Sequence, residues 1–165
     1  MRQRVCIAMA LINDPELIIA DEPTTALDVT VQAQILNILN SLRKERKLSI
    51  LFISHDFGVI SQLCDRVIVM YAGSIVEEGP VKNIMQQAAH PYTSELIKCV
   101  PQLGNKEHAL HSIPGNPPSL NQLPEGCAFA NRCQYKQDQC LQGLVPVSSK
   151  DNRSYKCFYP VGGAT

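Results

Sequence analysis

The 165-residue chain lacks any apolar run approaching the ~18 residues of a membrane-spanning helix, so no spanning segment is expected. It also lacks an excess of charge. Fifteen Lys and Arg balance fifteen Asp and Glu, a formal +0, which argues against nucleic-acid binding as the main task. The first residues, Met1-Arg2-Gln3-Arg4-Val5, lead into no secretory apolar segment with a small-residue cleavage site, so a cytosolic setting is expected. No internal repeat is visible. None of the seven cysteines forms the paired Cys-x2-Cys of a zinc ribbon. What is present is 45% apolar residues, enough for the core of one domain, or one domain plus a small appendage. Seven cysteines in a cytosolic chain suggest metal ligation or inert thiols rather than a disulfide framework.

Residues 17–28, Leu-Ile-Ile-Ala-Asp-Glu-Pro-Thr-Thr-Ala-Leu-Asp, organise the chain. The short apolar run Leu17 to Asp21 predicts a strand buried on both faces in a parallel sheet. Two adjacent carboxylates, Asp21 and Glu22, end it, and Pro23 breaks it. Before it, residues 1–13 predict a helix that is apolar nearly all round from Val5 onward, hence largely buried. The chain thus begins on a buried helix with no preceding strand, which suggests a start in mid-domain. After it, Asp28 precedes Val31, Ile35, Ile38, Leu39 and Leu42, a helical spacing that ends near Arg43 to Lys47.

Ser49 to Ser54 predicts a second buried strand, ending at His55-Asp56, followed by a short helix over about Phe57 to Leu63. Arg66 to Tyr71 predicts a third strand, turned back through Ala72-Gly73 into Ser74 to Glu78 and closed by Gly79-Pro80. Val81, Ile84 and Met85 predict a short helix. His90-Pro91 starts another, with Leu96, Ile97 and Val100 on its apolar side. Residues 101–126, rich in Pro, Gly, Asn and Ser, read as an extended linker. Residues 127–160 hold four cysteines and little regular pattern.

Strand, helix, strand, helix, strand is an α/β order with a parallel sheet, in which ligands bind at the carboxyl ends of strands. Asp21-Glu22 ends one strand and His55 the next. At such an edge Asp21 can hold Mg²⁺, Glu22 can orient or deprotonate a water, and His55 can donate to a γ-phosphate. Each residue alone has a plainer reading. Asp-Glu-Pro can be a polar strand end, Asp28 a helix N-cap, and His55 a satisfied surface or core residue; their joint occurrence favours the functional one. Cys127, Cys133, Cys140 and Cys157, spaced Cys-x5-Cys-x6-Cys-x16-Cys, form a second constellation. Four thiolates can hold Zn²⁺ or a [4Fe–4S] cluster, with Arg132, Lys136 and Lys156 near enough in sequence to offset charge. Metal-free thiols remain the third reading. Cys6, Cys64 and Cys99 read as ordinary small apolar residues.

With these residues in place the sequence resembles the ATP-binding subunits of ABC transporters. Leu17–Pro23 looks like their Walker B strand, Thr25-Ala26-Leu27-Asp28 like the D-loop, and Ile53-Ser54-His55-Asp56 like the switch-histidine loop. Met1-Arg2-Gln3-Arg4-Val5 looks like the tail of the signature motif. His90-Pro91-Tyr92-Thr93, Ile113-Pro114-Gly115-Asn116-Pro117-Pro118 and Gly126-Cys127-Ala128-Phe129-Ala130-Asn131-Arg132-Cys133 resemble the C-terminal extension of the oligopeptide/dipeptide and nickel importer branch.

The resemblance implies residues 1–88 as part of a P-loop (RecA-like) ATPase domain and 89–165 as an irregular cysteine-containing extension. It implies ATP and Mg²⁺ as cofactors, with Asp21 serving Mg²⁺, Glu22 as catalytic base, and Asp28 facing a second ATPase subunit. It implies membrane permease partners, an indirect link to a substrate-binding protein, no nucleic acid, and a peripheral place on the cytoplasmic face of the membrane. Some members of this branch carry an iron–sulfur cluster in the extension, which favours [4Fe–4S] over Zn²⁺ here. Two departures count. No Gly-x-x-x-x-Gly-Lys-[Ser/Thr] occurs, and the Ser and Gly residues of the signature motif are absent. The chain is therefore expected to be the C-terminal half of a longer subunit and not to hydrolyse ATP alone. The alternative is a metal-binding regulatory or interaction module with a vestigial nucleotide half.

Overall fold

In the computed structural model the fold is described over residues 2–100, 111–119 and 121–162. Met1 of the signature-like stretch, and 101–110 and 120 of the expected linker, lie outside the described residues. The chain divides into two compact units, Met1–Leu63 and Cys64–Thr165.

The first unit runs α1 (Arg2–Leu11), β1 (Leu17–Asp21), α2 (Val29–Arg46), β2 (Ser49–Ile53) and α3 (Phe57–Leu63). Strands β1 and β2 pair in parallel, Leu17 opposite Ser49 through Asp21 opposite Ile53. A parallel pair needs a crossover, and α2 supplies it. Asp28 caps this helix as expected: its backbone is extended and its Oδ1 accepts the Val31 N–H at 2.8 Å. Ile35 and Leu39, one turn apart, are both 1% exposed. Arg43, Lys44 and Arg46 sit in the last turn, where the helix dipole favours cations. Lys47 then leaves the helix in the left-handed conformation.

Two burial expectations are corrected here. Helix α1 is not buried, since Val5 and Met9 are 57% and 65% exposed. A two-stranded sheet and two further helices have too little surface to surround an all-apolar helix. Polar contacts hold it instead: Gln3 donates to the Pro23 carbonyl at 2.9 Å and Arg4 to Gln34 Oε1 at 2.7 Å. Likewise β1 and β2 are buried on one face rather than two. Ile18, Ala20 and Phe52 are covered, while Leu17, Ile19, Leu51 and Ile53 are exposed, the alternation of a sheet covered on one side.

The second unit runs β3 (Arg66–Tyr71), β4 (Ser74–Pro80), α4 (Val81–Gln87), α5 (Pro91–Lys98), two short 3₁₀ turns (Ala130–Arg132 and Asp138–Leu141), β5 (Val147–Lys150) and β6 (Arg153–Lys156). The hairpin β3–β4 forms through Ala72-Gly73, both at positive φ, the backbone a tight two-residue turn requires. Strand β4 continues through Gly79-Pro80, which had been expected to end it. The third strand does not join the parallel sheet. It lies in an antiparallel sheet of order β3-β4-β6-β5, because a two-residue turn returns the chain directly alongside it. The extension is also more regular than its sequence suggests. Asp151 and Asn152, both at positive φ, close the hairpin β5–β6, and β6 pairs with β4.

A bulge between Val69 and Met70 shifts the β3–β4 register, and both Val76 and Glu77 are buried. Glu77 is 0% exposed; its Oε1 accepts the Ala89 N–H at 2.8 Å and its Oε2 the His90 N–H at 2.9 Å. A buried carboxylate satisfied by two backbone donors ties β4 to the connection between α4 and α5. We predict that Glu77→Leu, which orphans both donors, destabilises the second unit by on the order of 3 kcal/mol, and that Glu77→Gln, which keeps one acceptor, loses less. Urea unfolding of the two variants checks this; equal stability of Glu77→Leu and wild type contradicts it.

Candidate functional site

The parallel register sets the first constellation. Asp21 and Ile53 are opposite each other at the ends of β1 and β2, so the residues that follow both strands emerge at one edge. Glu22 leaves β1 at φ 48°, a left-handed conformation uncommon outside glycine, with its N–H on the Ile53 carbonyl at 3.0 Å. His55 Nδ1 lies 2.9 Å from Glu22 Oε1 and 3.0 Å from Oε2. Thr25 donates its hydroxyl to Glu22 Oε2. Asp21 is exposed beside them, and Asp56 caps α3 by accepting the Gly58 and Val59 N–H groups at 2.8 and 3.3 Å. Asp28 stands apart from this cluster at the start of α2, exposed, with its Oδ1 committed to the cap.

The pair has a defined charge state. The Thr25 hydroxyl, then His55, hold the Glu22 carboxyl below its ordinary 4.5. The hydrogen bond to Glu22 lifts His55 above its ordinary 6.5. Glu22 thus stays ionised to lower pH and His55 stays protonated to higher pH. The pair is charged between the lowered Glu22 value and the raised His55 value, and its contribution is lost as pH leaves that window on either side. Protonation also decides what His55 can offer. A neutral ring that gives its Nδ1 proton to Glu22 has only an acceptor at Nε2, whereas the charged ring keeps a second donor there. A lone exposed carboxylate on hard oxygen, Asp21, matches what Mg²⁺ takes from a protein when phosphate and water complete its shell.

In the second unit, Cys127, Cys133, Cys140 and Cys157 all line one apolar pocket, together with His90 and Phe129. None is in a disulfide. The Cys127 N–H donates to the Cys140 carbonyl at 2.8 Å, and Gly126 beside it approaches so closely that a Cβ would lie 2.3 Å from the Cys140 carbonyl oxygen. Burial raises the Cys127, Cys133 and Cys157 thiols, Cys157 to about 11. As the side chains stand, no group of three or more His, Cys, Asp or Glu among the described residues is set to hold a metal ion. The donor set still suits a thiolate-held group: four unpaired thiols converge on one apolar pocket.

Arg132, expected to offset charge there, is engaged elsewhere: it donates to the carbonyls of Ile113 and Pro114 at 2.8 and 2.9 Å and to the Tyr71 hydroxyl at 3.3 Å. Lys156 is close enough to Cys127 to favour its thiolate. Cys6 is exposed rather than packed, and Cys64 and Cys99 are half-buried. Glu77, Phe129 and the inward role of His90 were not legible in the sequence. The signals available were a Glu inside an apolar strand and a His directly before Pro91. Phe129 is 1% exposed and meets Tyr71 and Tyr92, each with ring centroids 5.3 Å away.

Residues 76–140 match the family described as "Oligopeptide/dipeptide transporter, C-terminal region". The chain is 48% identical over 161 residues to the oligopeptide transport ATP-binding protein OppD of Salmonella typhimurium, covering 98% of this chain and 48% of that protein. It is 55% identical over 141 residues to OppD of Haemophilus influenzae, with 85% and 43% coverage. With OppD of Escherichia coli K12 it shares 47% over 161 residues, covering 98% and 48%. The chain belongs to the family of oligopeptide/dipeptide ABC-transporter ATP-binding proteins. It spans about half the length of the curated relatives it matches. No helix among the described residues is long and apolar enough to cross a membrane.

An NMR titration of the ring protons should find His55 titrating above 6.5, with Glu22→Gln returning it toward that value. A wild-type His55 that titrates at or below 6.5 contradicts the charged pair.

Proposed function

We propose that this chain supplies the Walker B, D-loop and switch-histidine part of an ATPase subunit that energises peptide import through an ABC transporter. The observation that carries the reading is the joining of Glu22 and His55 at the edge where β1 and β2 both end. Glu22, kept ionised by Thr25 and His55, takes the proton of the attacking water. His55, kept protonated by Glu22, donates through Nε2 to the γ-phosphate, where negative charge accumulates. Asp21 would hold Mg²⁺, which would supply positive charge to offset that of the phosphates. Asp28, besides capping α2, faces a second ATPase subunit. The first unit is part of a RecA-like P-loop sheet, and 1–88 and 89–165 are the functional divisions. Permease subunits are the membrane partners, a substrate-binding protein delivers the peptide, and the complex lies at the cytoplasmic face. Relatives named for oligopeptide transport support this reading over a metal-binding module with a vestigial nucleotide half.

These 165 residues contain no Gly-x-x-x-x-Gly-Lys-[Ser/Thr] loop to grip the phosphates. We expect no ATPase activity from them alone. A chimera that joins them to the part of the Salmonella relative preceding the matched region should hydrolyse ATP with Mg²⁺, and Glu22→Gln should lower its rate at least about 100-fold. An inert chimera beside an active Salmonella protein sinks the proposal, as does activity of the chain alone that depends on Glu22.

We propose further that Cys127, Cys133, Cys140 and Cys157 hold a [4Fe–4S] cluster in preference to Zn²⁺. All four lining one apolar pocket supports this. Such a cluster would crosslink segments up to thirty residues apart and supply an electron-transfer or staple function. Anaerobic loading with iron and sulfide should give about four of each per chain and a visible charge-transfer band, and Cys133→Ser should reduce both. Stoichiometric zinc with no iron uptake would decide for Zn²⁺; no cysteine-dependent metal at all would decide for free thiols.

A further inference from the structure

His90 is 1% exposed, lies at the N-cap of α5 and lines the four-cysteine pocket. Its Nδ1 accepts the Tyr92 N–H at 3.1 Å. A ring nitrogen that accepts cannot also carry a proton, so the ring is neutral with its hydrogen on Nε2. That Nε2 is buried and without a hydrogen-bond partner. A buried N–H left without an acceptor is costly, and here it belongs to a ring that lines one pocket together with all four cysteines. The residue has two further contacts. Glu77 takes the His90 backbone N–H at 2.9 Å, and the Phe129 ring lies 6.0 Å away, centroid to centroid. The tautomer is therefore fixed, and the ring's one free donor has no protein acceptor.

We propose that His90 is a positioning residue for the cysteine pocket, whose Nε2–H donates a hydrogen bond to a metal-bound thiolate sulfur there. The inference rests on the reading of the four cysteines as metal ligands. Neutral thiols accept hydrogen bonds weakly; thiolates on a metal accept them well, and donors to ligating sulfur tune the affinity of metal sites. Metal binding at the cysteines would give the buried Nε2–H the acceptor it lacks.

The test uses the whole chain, loaded anaerobically with Zn²⁺ as a diamagnetic probe, with ¹⁵N-labelled histidine. Expected are an Nε2–H tautomer of His90 before loading, and after it a displaced Nε2–H proton resonance with slowed exchange. In chelator competition His90→Leu should weaken Zn²⁺ binding about 10-fold or more, as loss of a partner to a ligand does, and His90→Gln, whose amide can donate, should recover most of it. An unmoved His90 resonance in Zn²⁺-loaded protein overturns the inference, as does an Nε2 that has lost its proton to bind the metal. Absence of any cysteine-dependent uptake, of Zn²⁺ and of an iron–sulfur cluster alike, overturns it too. The cluster reading is decided separately, by the iron and sulfide count.

Discussion

The second unit depends on the burial of one charge. Glu77 sits at 0% exposure in β4 and has two backbone N–H groups, those of Ala89 and His90, as its acceptor contacts. A lone buried carboxylate is untenable without such partners. Meeting that demand draws the α4–α5 connection onto the sheet. Ala89 then packs with Tyr155 and Cys157, its carbonyl accepts the Val161 N–H at 2.8 Å, and His90 faces the cysteine pocket. One electrostatic requirement so links the hairpin, the helices, the last strand and the site wall.

The first unit depends on a register. Because β1 and β2 run parallel and in step, the groups that follow them meet without any long-range design beyond the crossover helix. Glu22 and His55 then set each other's charge. Neither residue is buried, so their coupling comes from hydrogen-bond geometry rather than from low dielectric. Such a pair responds to pH on either side of the window in which both groups are charged.

The two constellations differ in how they use their surroundings. Glu22 and His55 are open to solvent and keep their charges through each other. The cysteines are half-buried or buried, and burial pushes the Cys127, Cys133 and Cys157 thiols toward the neutral form, so that any metal must displace protons to enter. Gly126 illustrates the tightness of that second site: only a residue without a Cβ lets the chain pass the Cys140 carbonyl.

Much was legible from residues alone. The strands Leu17–Asp21, Ser49–Ile53 and Arg66–Tyr71 fall where their apolar runs predict. The cap at Asp28, the turn at Ala72-Gly73 and the helix after His90 also fall where local chemistry requires. Local propensity and short-range hydrogen bonds decide those features, and both are written in neighbouring residues. The meeting of Glu22 with His55 followed from strand order, since consecutive parallel strands present their ends together. Other features had no local signal. Whether α1 and the β1–β2 sheet are covered depends on what lies against them, and periodicity cannot report that. The pairing of β4 with β6, residues separated by nearly half the chain, and the double acceptance at Glu77 are long-range. So is the placement that leaves His90 Nε2 buried without a partner in a ring lining the cysteine pocket. Sequence determined at which strand ends Asp21, Glu22 and His55 lie; tertiary structure alone decided their partners, because burial and long-range hydrogen bonds are set by the packed whole.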